Sequence, residues 1–548
     1  MSDDKTHSYV PTLRRQLAEK QISRREFMRT ATLLGVSAAS ASAMAGIGTR
    51  AMAQGTPVQG GALRIANAVT DPTNPATLNN VPDGNVVRQT LEFLSETGVD
   101  NVTRPYLLES WEPSEDLKSW TLNVRPGVKW ADGRDFTADD VEWNIRYQLT
   151  DSTGSSVLGL MKDYMLTEKV DGETRSHELW DASAIEKIDD HTIRLNLKSP
   201  QIAIPEHLFH YPFAMIDPTG DHSFGPGVNG TGPFRLVDMG LQRNAVYEAR
   251  DDYWGRRAYV DSLEFVHYGD GANANAAALM SGQVHGIMAA DPQQLPLLNA
   301  SPVLKFYEVP TGDGPALRFR VDQKPFDDPR VRLALKLAVD NAAIAKLALG
   351  EMGLGSENHQ VSPIHPEYYE LPPQTQDLAA AKALLTEAGY GDGLEFEVTV
   401  SRSTPFHLIL VQGVVEMWKE IGVNAKINLI PGAQYWNVWT QVPCGLTAWA
   451  HRPLGIMNIA LAYRSGGAWN ESGYANPEFD ALITQAEGIV DPVERRAVMA
   501  DIEALLQTDG PMLHTAWAKK ATYFHESVGG FSMHPSQFLF AKDYWINA

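Results

Sequence analysis

Two periodicities alternate along the chain, and each predicts a different element. Trp120, Leu122 and Val124 occupy every second position between polar residues, and the alternation resumes at Val128 and Trp130 after Pro126-Gly127. A period of two marks a half-buried strand, so this stretch predicts a hairpin closed by Asp132-Gly133. The next segment, TADDVEWNIRYQL, changes period: Val141, Ile145 and Leu149 fall on one face of a helix that Thr137 caps, with Asp140 three residues on. Short strands are predicted at GGALRIA (Gly60 to Ala66), HTIRLNL (His191 to Leu197) and GTGPFRLVDM (Gly230 to Met239), the last entered through the Gly232-Pro233 turn. GANANAAALMSGQVHGIM reads as a helix ended by Gly282 and followed by a short strand.

The second half has longer units. DDPRVRLALKLAVDNAAIAKLAL starts with Asp328 as cap and Pro329 in the first turn, and Val331, Leu335 and Val339 form its apolar stripe. Leu394, Phe396, Val398 and Val400 alternate with polar residues, a helix around VVEMWKEIG stops at Gly422, and Val423, Ala425, Ile427 and Leu429 alternate again. Strand, helix and strand at these lengths predict a βαβ unit, and the chain reads as α/β. At 548 residues it is too long for one ordinary domain.

The N-terminus follows neither pattern. SRREFMR carries a twin arginine, Arg24 and Arg25, followed by Phe27; Thr30 to Thr49 is free of charge, and a small-x-small pattern (Ala51, Ala53) precedes Gln54. This looks like a twin-arginine (Tat) export signal over residues 1–53, which sets that segment apart from the fold. Its removal takes away eight basic and four acidic residues and moves the net charge from −21 to −25. So acidic a body disfavours nucleic acid and anionic lipid as partners. Gln54 at the start of the mature chain offers no cysteine for lipidation, and the lone Cys444 has no partner for an internal disulfide.

Four ordered segments resemble the extracellular solute-binding proteins of the peptide/nickel/opine class (family 5), the receptors of ABC importers. They are RPYLLESWEPSEDLKSWTLNVRPGVKWADGRDFTADDVEW, GTGPFRLVDMGLQRNAVYEARDDYWG, KPFDDPRVRLALKLAVD and YANPEFDALITQAE, spread over most of the chain after residue 58. The resemblance implies an α/β, two-lobed clamshell of three domains (type II, cluster C-like). Domain I would be residues 58–90, 225–312 and 513–548, domain II residues 91–224, and domain III residues 313–512. It further implies a soluble periplasmic monomer that meets the Tat translocase during export. That monomer would close on a small-molecule ligand and deliver it to an ABC permease in the inner membrane, with no cofactor.

An enzyme is not expected, because no nucleophile elbow, zinc motif or paired carboxylates can be assigned. A periplasmic hydrolase is the alternative of a different class. GEMGLGS lacks the Lys of a phosphate loop, and HLFH (His207 to His210) has helical metal spacing but is assigned no metal.

The informative stretch is WAHRPLG, Trp449 to Gly455. In peptide receptors of this family the corresponding place typically reads W-x-D-Y-x-D-P, and its first Asp receives the ligand's α-ammonium. Here His451 stands in that place, Arg452 follows, and no acid appears before Glu471. A buried ammonium without a counter-charge is costly, whereas a guanidinium offers a fork of donors for an acid group. Arg452 is therefore expected either to clamp an acid group of the ligand, with His451 donating beside it, or to pair with a structural carboxylate. Trp449, Arg464, Trp469 and Asn470 are further candidate lining residues, as are Tyr435 and Trp436 after a strand and Arg318 and Arg320 on one face of ALRFRVD. Asn74, Asn79 and Asn80 sit in an early loop that often touches ligand in this family. The ligand ranked first is an acidic or opine-like amino-acid conjugate or a modified peptide; an ordinary di- or oligopeptide and a nickel or metal chelate follow.

Overall fold

A computed structural model describes residues 7–47, 56–172, 174–269, 271–372, 374–467 and 469–547. Its backbone is a twelve-stranded mixed sheet. Ten strands follow one another in the order Phe234–Gly240, Asn244–Ala249, Ser262–Val266, Ala62–Ala66, Gly286–Ile287, Ala516–His525, Leu304–Phe319, Cys444–Trp449, Leu394–Ser401 and Val423–Ile430. Leu304–Phe319 ties the sheet together. Its first half pairs antiparallel with Ala516–His525, its second half, from Gly314, with Cys444–Trp449, and the register shifts between Pro310 and Asp313.

The predicted βαβ unit is present. Leu394–Ser401 and Val423–Ile430 run parallel over eight paired positions, joined by the helix Pro405–Lys419. The helix Ala138–Gln148 also forms where its period places it. The Asp140 carboxylate accepts the Thr137 amide at 2.9 Å, and Val141 and Ile145 are fully buried.

Three expectations are corrected. The Trp120 strand does not pair with Val128 and Trp130. Ser119–Val124 lies between Leu108–Pro113 and Thr192–Asn196 in a separate four-stranded sheet, while Val128 and Trp130 are buried in an irregular segment beyond the Pro126-Gly127 turn. Partners on both sides satisfy the strand's backbone groups, so the alternation beyond the turn serves burial alone. The long helical pattern from Asp328 divides into Pro329–Leu337 and Asn341–Leu349, because the Asp340 side chain accepts the Ala343 amide at 2.9 Å and caps a second start.

The third concerns the N-terminus. Residues 7–47 are not apart from the fold: they form the helices Val10–Ala18, Arg24–Leu33 and Ala38–Met44, which pack on the body. The expected cleavage site before Gln54 lies outside the described residues. Among the described residues no helix is long and apolar enough to cross a membrane.

One apolar cluster joins Trp111, Trp120 and Trp130 of the four-stranded region to Tyr435, Trp449 and Met457 of the later chain. The candidate site opens along this seam.

Candidate ligand-binding site

A small pocket is lined by Glu206, Phe209, Tyr211, His451, Arg452 and Phe538, among others. Arg452 sits just past the end of the strand Cys444–Trp449 and is 6 % exposed. One Nη donates to Asn458 Oδ1 at 2.7 Å and to the Ala450 carbonyl at 3.2 Å. The guanidinium carbon lies 5.7 Å from the Trp449 ring and 5.6 Å from the Trp469 ring. Its Nε has no partner. Burial lowers its pKa, and the nearby Tyr211 hydroxyl opposes that shift. Among the described residues no carboxylate pairs with it; its partners are Asn458, the Ala450 carbonyl and Tyr211.

His451 is arranged differently. Nδ1 accepts the Gly312 amide at 3.0 Å, and Nε2 lies 3.0 Å from Asn101 Oδ1. Those partners fix the neutral Nε2–H tautomer and occupy both nitrogens. His451 is therefore not the expected free donor; it is a strut between two segments. Its ring stacks on His365 at 5.4 Å, and burial drives its pKa well below the usual value, with His365 and His534 adding to the shift. His365 Nε2 in turn reaches the Arg452 carbonyl at 3.1 Å, and Ser536 Oγ donates to the His451 carbonyl at 2.9 Å. The backbone on either side of Arg452 is thus held rigidly.

The other candidate cations are committed to the protein. Arg318 is wholly buried and pairs with Glu471 at 3.0 Å, and it also donates to the Val442 and Trp439 carbonyls. Arg320 shares its face as the alternation predicts, but pairs with Asp322 and donates to the Thr440 carbonyl. Arg464 bridges Glu487 at 2.7 Å and Asp163 at 3.0 Å.

Of the remaining candidates, Asn470 ties its own loop through the Arg464 and Tyr474 carbonyls. Tyr435 donates to or accepts from Thr447 at 2.9 Å, with Trp436 packed against its ring. Asn74 and Asn80 cap the short helices that follow them. Trp449 and Trp469 lie beside the Arg452 guanidinium but do not line the pocket; the Trp449 indole is anchored to Glu471 Oε1 at 2.9 Å. The HLFH histidines diverge, His207 toward Tyr164 and His210 toward Ser156.

Glu206, immediately before that His pair, was not foreseen. It is 3 % exposed, its Oε2 has no partner, and burial pushes its pKa up to about 8. Tyr211, Phe209, Ser536 and Phe538 were missed with it, since they reach the pocket from chain positions more than 80 residues away from Arg452. Arg88 was also missed. Its guanidinium lies 3.8 Å over the Phe538 ring and lines a second small pocket that shares Phe209.

The Glu206 environment makes a testable demand. A carboxyl whose folded pKa exceeds its unfolded value costs stability as pH rises from the unfolded value of about 4.5 toward 8, at up to about 1.4 kcal/mol per pH unit. Glu206→Gln is expected to match the wild type in urea unfolding at pH 4 and to exceed it clearly at pH 8. Equal stability at both values would contradict the buried, protonated assignment.

Residues 103–471 match the family model for bacterial extracellular solute-binding proteins, family 5. The chain belongs to that family. Similar relatives include heme-binding protein A of Haemophilus influenzae, 26% identical over 79% of this chain and 82% of that protein. The glutathione-binding protein GsiB of Pectobacterium atrosepticum is 25% identical over 80% of this chain and 84% of its own. Among solved structures, AgaA from A. tumefaciens R10 in complex with agropinic acid superposes with a TM-score of 0.78 at 20% identity, over 89% of this chain and 99% of that one. DppA from Helicobacter pylori in complex with the peptide STSA gives 0.77 at 19% identity, over 90% and 99%. As a family 5 solute-binding protein the chain is mixed α/β with the large sheet of that fold, and its cavity lies between the regions the fold brings together.

Proposed function

We propose that this ABC-importer receptor captures a small acidic organic solute, opine-like, an amino-acid conjugate or a modified peptide, with Arg452 as its anchor. One observation carries the reading: a buried guanidinium lines the cavity without a carboxylate partner among the described residues. A cation in a dry site is stabilised by an arriving anion. Tyr211 supplies a hydroxyl beside it, the Trp449 and Trp469 rings lie within cation–π reach, and Glu206, protonated at neutral pH, does not oppose a negative charge.

The division into domains I, II and III at residues 90, 224, 312 and 512 belongs to the same proposal. So do Tat-dependent export, action as a monomer in the periplasm and the absence of catalysis. The crossing strand Leu304–Phe319, with its register shift between Pro310 and Asp313, supports a hinge there. The exposed Arg24 and Arg25 on the helix Arg24–Leu33 are accessible to an export receptor.

Calorimetry with carboxylic acids, opines and small acidic conjugates, each paired with its neutral amide, tests the ligand class. Acids are expected to bind and their amides to lose at least tenfold in affinity. Amides that bind as tightly as their acids, or free-amine peptides that bind irrespective of their acid groups, would overturn it.

A further inference from the structure

The described N-terminal segment touches the body at points that lie on both sides of the cleft. On one side, the Ser8 amide donates to Glu115 Oε1 at 2.9 Å, the Trp111 indole donates to the Thr32 carbonyl at 2.9 Å, and Arg29 Nε donates to the Asn101 carbonyl at 2.6 Å. On the other, Gln16 donates to both Asp491 oxygens at 2.9 and 3.0 Å, and Glu26 pairs with Arg496. Phe27, Leu13, Ala31 and Leu34 form an apolar cluster of their own that packs on Val102 from the first side and Val490 from the second. Gly35 turns away with φ +83°, and a Cβ there would meet the Trp111 carbonyl at 2.8 Å, so the close approach requires glycine.

The segment also reaches the site. Asn101, which accepts Arg29 through its carbonyl, accepts His451 Nε2 through its side chain and donates to the Pro453 carbonyl at 3.4 Å, so it holds the residues flanking Arg452. Arg29 is 4 % exposed and its charge is felt by the buried carboxyls of Glu206 and Glu367.

We propose that residues 7–47 form an intramolecular strap that binds both sides of the cleft at once and holds it shut against solute exchange until the segment leaves. Closure in this class separates bound from free solute. A segment with contacts to both halves of the closed form and to only one half of an open form shifts the population toward closure by that difference alone. The helix Arg24–Leu33 carries the bridge: one face meets Val102 and Asn101, and Glu26 meets Arg496. A segment still attached would then keep the receptor from loading, and its departure would open Asn101, Asp491 and Arg496 to solvent. The inference rests on the two-lobed reading and is independent of which solute binds.

The body supports a test without the strap. Apart from Leu33, its core clusters draw on residues from 63 onward, and solved relatives are covered over 99% of their length by 89 or 90% of this chain. Hydrogen exchange and small-angle scattering on the full chain and on a chain beginning at Gln54 give the readout. Exchange around residues 99–105 and 488–498 is expected to be at least tenfold slower in the full chain, and its radius of gyration smaller. Arg496→Glu in the full chain should move both values toward the short chain, Glu26→Lys combined with Arg496→Glu should restore them, and Arg496→Glu in the short chain should change neither. Equal scattering from the two chains, with slowing confined to covered residues, would reduce the strap to a passive cover and overturn the inference. An Arg496→Glu effect of equal size in the short chain would do so too. A short chain that stays compact both without solute and in 1 M urea would instead contradict the two-lobed reading.

Discussion

Methionine in place of Arg452 is expected to leave the ligand-free protein at least as stable as the wild type while lowering affinity for an acidic solute about tenfold to a hundredfold. The loss reflects a hydrogen bond to a charged group, worth about 1.5–3 kcal/mol. The stability arm follows from desolvation: Arg452 is 6 % exposed with no counter-charge among the described residues, and its compensation is two carbonyl-type acceptors, Tyr211 and two indole faces. An apolar side chain of similar volume removes the cost of a buried cation and keeps the packing. A structural arginine would behave in the opposite way, with melting temperature falling and affinity unchanged. Thermal unfolding together with calorimetry therefore separates the two roles in one variant.

Arg318 supplies the contrasting case. Arg318→Met is expected to destabilise the protein by about 3–5 kcal/mol, because it leaves Glu471 wholly buried without its cation. Burial already pushes the Glu471 carboxyl up, and Arg318 is the largest opposing influence. Glu471 also receives the Thr447 hydroxyl at 2.6 Å and the Trp449 indole at 2.9 Å, so the damage should spread to the wall beside Arg452. The double variant Arg318→Met/Glu471→Leu removes both charges and is expected to regain most of the loss. Urea unfolding of the two variants checks this; a single variant as stable as the wild type would show that the pair is not what holds this wall.

The contrast also explains which parts were legible in the sequence. The helix from Thr137 and the βαβ unit from Leu394 were readable because cap, period and stop are local. The hairpin at Trp120 was misread because the partners of its strand, Leu108–Pro113 and Thr192–Asn196, are chosen by tertiary structure, and an alternating pattern cannot name a partner. At the site, WAHRPLG drew notice as a departure from the peptide-receptor pattern. The sequence could not distinguish a cation facing a cavity from one facing a carboxylate, and Arg318, Arg320 and Arg464 were nominated as further, weaker candidates beside Arg452. Their partners, Glu471, Asp322, Glu487 and Asp163, are mostly distant along the chain. His451 was assigned a ligand-facing role because its residue type suited one, whereas Gly312 and Asn101, from two other segments, take both of its nitrogens. Glu206 was adjacent to a noticed pair and was passed over because its neutral, buried state comes from packing alone.

In the proposed role, Arg452 would gain its selectivity from this arrangement. Its guanidinium lies beside the Trp449 and Trp469 rings, and the backbone on either side is clamped by His365, His451 and Ser536. A rigid, desolvated donor discriminates by charge more strongly than a mobile surface arginine does, since water cannot replace a missing acid group.

Native mass spectrometry of the protein purified without denaturation, run beside the Arg452→Met variant, tests this most directly. The wild type is expected to carry a small molecule that fragments to a carboxylate or other acid, and the variant prepared in parallel to be empty. A retained molecule without an acid group, or the same molecule at equal occupancy in both proteins, would contradict Arg452 as the anchor of an acidic solute.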